Sequence, residues 1–149
     1  MKKSCEPKVT TDCNLRQFVG YNMKRAFLTV REDLASVLEP IGLRMTSFSA
    51  LAVIVENPDI SQSRLAEALH IERSGVVVLV DELERAEFIE RGRVEGDRRQ
   101  YALRATPIGE AKWAEAEKAV HAHEDGLFAD LTDEERASLK SLLGRVGRK

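Results

Sequence analysis

The sequence predicts a mostly helical fold carrying one small β-hairpin. Three observations predict it. Apolar residues recur at three- and four-residue steps through six separate stretches, the signature of amphipathic helices. Only residues 88–105 alternate as strands do, with the turn formers Gly96 and Asp97 near their middle. Pro40, Pro58 and the pair Thr106-Pro107 fall between these stretches and mark their limits.

The first stretch, residues 14–39, places Leu15, Phe18, Val19, Met23, Phe27, Val30, Leu34 and Leu38 on one face, and Pro40 and Gly42 end it. Its early apolar residues have no evident partner within the chain, which suits packing on a second subunit. Thr46 is the expected cap of a helix over 47–56, with Phe48, Leu51, Ala52, Ile54 and Val55 on its buried side. Ser61 caps a short helix to Leu69 that turns Leu65, Ala66 and Leu69 inward. His70-Ile71-Glu72 is a turn, and residues 73–87 follow as a helix with the core stripe Val76, Leu79, Val80 and Leu83.

Two strands, 88–93 and 100–105, are expected on either side of a loop over 94–99, with Tyr101 and Leu103 on the inner face. Thr106 then supplies a capping hydroxyl and Pro107 the first helical position of a helix to about Ala129. Thr132 and Glu135 form a capping box for a last helix carrying Ala137, Leu139, Leu142, Leu143 and Val146.

A helix-turn-helix followed by a hairpin is a winged helix. The predicted fold is therefore mostly α with a small β-wing, a winged helix-turn-helix flanked by N- and C-terminal dimerisation helices. The expected organisation is a mobile N-terminal arm (1–13), a dimerisation helix and linker (14–45), the winged helix-turn-helix DNA-binding domain (46–105) and C-terminal dimerisation helices (106–149). The terminal helices are too apolar along one stripe to stand alone in water, and a symmetric homodimer is the economical way to cover them.

The bulk numbers agree with a folded regulator-sized chain. Its 149 residues are 43% hydrophobic and 32% charged, and aromatics at 5% leave the core to aliphatic packing. No apolar run is long enough to span a bilayer, and Met1 to Cys13 lack the apolar stretch of a secretion signal, so a cytoplasmic location without a membrane partner is expected. The formal net charge of −2 argues against non-specific coating of nucleic acid, but charge is unevenly placed. Between Ile89 and Arg104, Arg91, Arg93, Arg98, Arg99 and Arg104 stand against Glu90, Glu95 and Asp97. A basic hairpin tip beside a helix-turn-helix favours contact with double-stranded DNA.

With these elements in order, the chain resembles the MarR family of bacterial regulators from about Leu15 to Val146. The resemblance rests on Ser61-Gln62-Ser63-Arg64-Leu65-Ala66-Glu67, on Val80-Asp81-Glu82-Leu83-Glu84-Arg85, and on Asp97-Arg98-Arg99 followed by Thr106-Pro107-Ile108-Gly109. It implies a dimer that binds a palindromic operator, usually as a repressor, and releases it when a small molecule binds.

The expected DNA-contacting residues are Gln62, Ser63, Arg73, Ser74, Val77, Val78, Arg93, Asp97, Arg98 and Arg99. Gln62 and Ser63 open the first helix of the pair, where backbone amides attract a phosphate. Arg73 and Ser74 open the second helix, whose outer face enters the major groove by the family resemblance. Val77 and Val78 stand where such proteins often carry hydroxyl or basic side chains. Valines can meet thymine methyls but donate no hydrogen bond, and at least one of Val76, Val77 and Val78 must be core. The resemblance also implies that Asp97 braces Arg99, which enters the minor groove, while Arg93 and Arg98 suit phosphates.

For the effector, the resemblance implies an aromatic or anionic small molecule, with Tyr21, Arg25, Arg44, Met45, Phe48 and Trp113 as lining candidates; Arg25 or Arg44 can meet a carboxylate. The alternative is a thiol-based redox switch at Cys5 or Cys13, which needs a stabilised thiolate. His121 and Asp125 share a helix face, but His123 does not, and no matching ligand stands elsewhere, so no metal or other cofactor is expected. No nucleophile–base pair, phosphate-binding glycine loop or paired-carboxylate signature points to an enzyme.

Overall fold

The computed structural model describes residues 11–94 and 97–147, with side chains described outside 94–100. The order of elements is α1 (Val19–Leu38), a 3₁₀ turn (Glu39–Ile41), α2 (Met45–Glu56), β1 (Ile60–Ser61), α3 (Gln62–Leu69), α4 (Arg73–Arg85), β2 (Ile89–Val94), β3 (Asp97–Ala105), α5 (Pro107–Leu127) and α6 (Asp133–Leu143). The chain divides into two compact units, one ending at Asp33 and one beginning at Leu34. Among the described residues, no single helix is long and apolar enough to cross a membrane.

In the first unit, α1 begins five residues later than its periodicity suggests. Residues 11–17 form turns instead. The Asn22 side chain donates to the carbonyls of Arg16 (2.7 Å) and Phe18 (2.8 Å), satisfying them from the side. Asp12 gathers Arg16, Tyr21 and Arg25 around one carboxylate. The Asn22 bonds compete with helix for the same backbone carbonyls, and the Asp12 bonds hold the turn's side chains together.

The second unit holds the helical core. Leu38, Leu51, Ile54, Leu65, Val76, Val80, Leu83, Ile89 and Leu103 are its largest fully buried side chains. All four residues of the expected α4 stripe, Val76, Leu79, Val80 and Leu83, are buried. The start of α2 departs from expectation. Arg44, not Thr46, is the N-cap position, and Ser47 reaches back so that its Oγ accepts from the Arg44 amide at 2.8 Å. Ser47 thereby does the capping from inside the helix, and it is the one buried polar residue of the described core.

The β-structure is larger than a hairpin. Ile60 and Ser61 pair antiparallel with Leu103 and Ala102, giving a three-stranded sheet of order β1-β3-β2. Two residues are too few to show an alternation, which is why the sequence hid them. The hairpin arms are also longer than predicted: Val94 pairs with Asp97, so Asp97, Arg98 and Arg99 lie on β3 and only residues 95–96 remain between the strands. Tyr101 is exposed, contrary to the inner-face expectation, whereas Ala102 is buried. Ala102 sits between Ser61 and Gly92, flanked by strands on both sides, while Tyr101 lies beyond the end of β1.

Helix ends follow their caps. The Ser61 hydroxyl accepts from the Arg64 amide at 3.2 Å, Thr106 from Gly109 at 3.0 Å, and Thr132 and Glu135 form the reciprocal box. Helices α3 and α4 both close in Schellman geometry. Ile71 and Phe88 donate back to Ala66 and Leu83, across left-handed residues His70 (φ 52°) and Glu87 (φ 60°). α4 consequently stops at Arg85, two residues short of the expected end.

The base of the wing is locked to α5. The Thr106 amide donates to the Phe88 carbonyl at 3.0 Å and the Thr106 hydroxyl to the Glu87 carbonyl at 2.5 Å. A Cβ on Gly109 would lie 1.8 Å from the Phe88 carbonyl oxygen. Gly109→Ala should destabilise the fold by about 3 kcal/mol, because backbone rather than a side-chain tip must move. Glu87→Gly should stabilise it by about 0.5–1 kcal/mol by removing left-handed strain from a residue with a Cβ. Thermal melts of the two variants should shift in opposite directions.

Candidate nucleic-acid interface

α4 sorts its three consecutive valines by helical angle. Val76 turns into the core, while Val77 and Val78 are 45% and 59% exposed. With Arg73 and Ser74, both exposed in the first turn, they make one outward face opposite the buried stripe. Gln62 and Ser63 occupy the first turn of α3, Ser63 exposed and Gln62 half-buried, beside the amides that Ser61 leaves unsatisfied. The exposed Arg64 follows them, a cation the sequence reading did not single out.

The hairpin carries the rest of the candidate surface. Arg93 on β2 is exposed and pairs with Tyr101 of β3. Asp97, Arg98 and Arg99 have backbone places on β3, but their side chains lie outside the described residues. Two of the five arginines counted as basic in this segment are committed to acids. Arg104 holds Asp59 through two bonds of 2.5 and 2.7 Å, which lowers the Asp59 pKa and raises that of Arg104. Arg91 bonds Asp81 and Glu84.

This pairing also accounts for the acids of α4. Asp81 and Glu84 face Arg91, and Glu82 faces Arg44. Three carboxylates that would repel a phosphate backbone are thus matched by cations from other elements. The spacing of Asp81 and Glu84, three apart and just before a turn into an Arg-bearing strand, was the available signal for this.

The effector candidates fall in both units. In the first, the Tyr21 hydroxyl donates to Asp12 at 2.8 Å and Arg25 donates to it at 2.6 Å, with the Arg25 guanidinium 6.0 Å from the Tyr21 ring centre. In the second, Arg44 bonds Glu82, and the rings of Phe48 and Trp113 lie 5.1 Å apart at 33°. Met45 lines a cavity of about 200 Å³ with Thr46, Ser49, Leu69 and Ile71. A second cavity, of about 270 Å³, lies at the end of α5 and along α6, walled by Phe128, Leu131, Leu139 and Leu143. Sequence reasoning did not find it. Cys13 is exposed in the N-terminal turns, and Cys5 lies outside the described residues. Asp125 pairs with Arg136 at 3.1 Å, and among the described residues no group of three or more His, Cys, Asp or Glu is arranged to hold a metal ion.

The sequence profile described as MarR family matches residues 41–100, which spans α2 to the start of β3. A transcriptional regulatory protein for the hcr operon of Thauera aromatica is 34% identical over 131 residues, covering 87% of this chain and 79% of that one. The chain belongs to the MarR family of transcriptional regulators. This MarR-family protein superposes on the transcriptional repressor CouR, solved bound to a 23-mer DNA duplex, with a TM-score of 0.88 and 36% identity, covering 92% of this chain and 97% of that one. CouR bound to p-coumaroyl-CoA matches with a TM-score of 0.82, 33% identity and coverage of 92% and 96%. The Mycobacterium tuberculosis MarR-family protein Rv2887, in complex with salicylic acid, matches at 0.70, with 25% identity and coverage of 87% and 96%.

The Asp12 cluster has a measurable consequence. The Arg16 hydrogen bond first, then that of Tyr21 and the charges of Arg16 and Arg25, hold the Asp12 carboxyl down to about 2. A depressed carboxylate supports the folded state above its ordinary pKa and ceases to do so as pH falls through the folded value. The Asp12 carboxyl should titrate near 2 by NMR, and the 12–16 turn should loosen only below about pH 4. A midpoint near 4 would mean that the cluster does not form in solution.

Proposed function

We propose that this chain is a homodimeric, sequence-specific repressor that grips a palindromic operator with α4 in the major groove and the β2–β3 wing in the adjacent minor groove. The observation that carries this reading is the division of α4. Its core stripe is wholly buried, while Arg73, Ser74, Val77 and Val78 form an exposed face turned away from the core. The match to a DNA-bound repressor over nearly the whole chain supports the same reading. Arg73 and Ser74 supply donors to phosphate or base edges, and the two valines supply apolar contact to thymine methyls. Gln62 and Ser63 hold a phosphate at the start of α3. Arg93 and Arg98 meet backbone phosphates, and Arg99, braced by Asp97, enters the minor groove where A·T pairs narrow it.

The dimer reading is supported by exposed apolar side chains at both ends of the chain. Leu15, Phe18, Val19, Phe27 and Leu28 lie in the first unit, and Leu139, Leu142, Leu143 and Val146 lie on or just after α6. Covering them requires a partner surface.

The proposed effector is an aromatic acid or its coenzyme A thioester. Tyr21, Arg25, Arg44, Met45, Phe48 and Trp113 supply aromatic surface and cations of the kind that CouR and Rv2887 ligands call for. A carboxylate or phosphate arriving at Arg25 competes with Asp12, and one arriving at Arg44 competes with Glu82.

Selection of duplexes from a random pool by the purified protein tests the DNA reading. Palindromes bound at nanomolar concentration and weakened steeply by salt are the expected result. Arg99→Ala should lose about tenfold in affinity, most on sites with A·T-rich flanks. Recovery of no enriched duplex, or a monomer by sedimentation, would overturn the reading. p-Coumaroyl-CoA or salicylate, added to the selected complex, should release it; indifference to both would remove the aromatic-anion effector.

A further inference from the structure

We propose that Arg91 is a positioning residue that fixes the spacing between the major-groove and minor-groove contacts, by tying α4 to wing strand β2. The inference rests on the DNA-binding reading above.

Arg91 lies on β2 opposite Leu103, on the wing side of the fold. Its guanidinium bonds Asp81 and, at 3.1 Å, Glu84, two acids nearly one turn apart on α4. Asp81 follows Val77 by four residues, so the clamp grips α4 one turn beyond the outward face. A guanidinium is a rigid planar fork, and a fork held by two acids along a helix resists both sliding and rotation of that helix. One point contact would leave rotation free.

Arg91 is more shielded than the arginines of the other two pairs that join α4 or the wing to a different element. Its side chain is 23% exposed, against 68% for Arg44 and 58% for Arg104. Its Nε is buried with no partner among the described residues. A residue kept for stability alone would be poorly placed here, because an orphaned buried donor is a cost, and ion pairs to acids 44% and 40% exposed contribute little in return. What an apolar replacement does not supply is a fixed mutual geometry.

That geometry matters on DNA. Moving an A·T segment by one base pair shifts it by about 3.4 Å along the axis and turns it by about one-tenth of a helical repeat. A wing held rigidly to α4 registers such a shift as lost contact. A wing free to swing adapts to it.

The test uses a duplex selected by the full-length wild-type protein, and a series in which its A·T flank is displaced by one or two base pairs from the half-site. Wild type should prefer the parent duplex by about tenfold. Arg91→Met should bind the parent less tightly and lose most of that preference. The triple variant Asp81→Asn/Glu84→Gln/Arg91→Met removes the unpaired acids and should recover overall affinity, but not the preference. If either variant keeps the wild-type preference, or the triple variant restores it, Arg91 acts by charge compensation or packing and the proposal fails. Should Arg91→Met melt early, Arg91→Lys keeps the charge without the fork, and it should lose the preference at an unchanged melting temperature. Failure of the wild type to select any duplex would instead overturn the DNA reading, and this inference with it.

Discussion

The burial of one stripe of α4 is the constraint from which the candidate surface follows. Val76, Leu79, Val80 and Leu83 are all inside, against the fully buried Leu38, Leu51, Ile54, Leu65, Ile89 and Leu103 of the same core. Each fully buried aliphatic side chain contributes roughly 1.5–3 kcal/mol. Rotating α4 by even one residue would exchange Val76 for Val77 and break the whole set. The outward face is therefore not free to vary in direction; it is whatever the core leaves. Two valines stand on it because the core requires the first of the three and no more.

Electrostatics refine what packing sets. The chain is slightly acidic overall, and α4 itself carries three carboxylates in its later turns. Arg91 and Arg44 match all three. Arg104 is likewise held by Asp59 beside β1. The arginines thus fall into two kinds: some brace the wing against the body, and others, such as Arg93, are exposed and make no ion pair among the described residues. A count of charges along the sequence cannot separate them.

Much of this was legible beforehand. The α4 stripe, the Ser61 cap and the Thr132–Glu135 box are local patterns, and local patterns survive into the fold. What was not legible depends on residues distant in sequence. β1 is two residues long and exists only because Leu103 and Ala102 lie beside it. The turns before α1 exist because Asp12 finds Tyr21 and Arg25 nine and thirteen residues on. Tyr101 has the alternation of an inner residue but lies past the end of the neighbouring strand. The candidate site was readable in the same proportion. Its helix faces came from periodicity, while the partners of Arg91, Arg104 and Arg44 needed the fold.

Gly109 has a mechanical meaning. Its Cα rests where a side chain would strike the Phe88 carbonyl, and Thr106 pins the neighbouring backbone. α5 runs from this point for 21 residues, about 30 Å. A tilt of about 5° about so stiff a pivot carries the far end of the helix through roughly 3 Å. The leverage also works in reverse. A displacement of roughly 3 Å at the distal end of α5 would correspond to only about 5° at the root of the wing. Geometrically, so long a rod on so tight a pivot is a reduction gear: coarse motion at one end would be a small angular correction at the other.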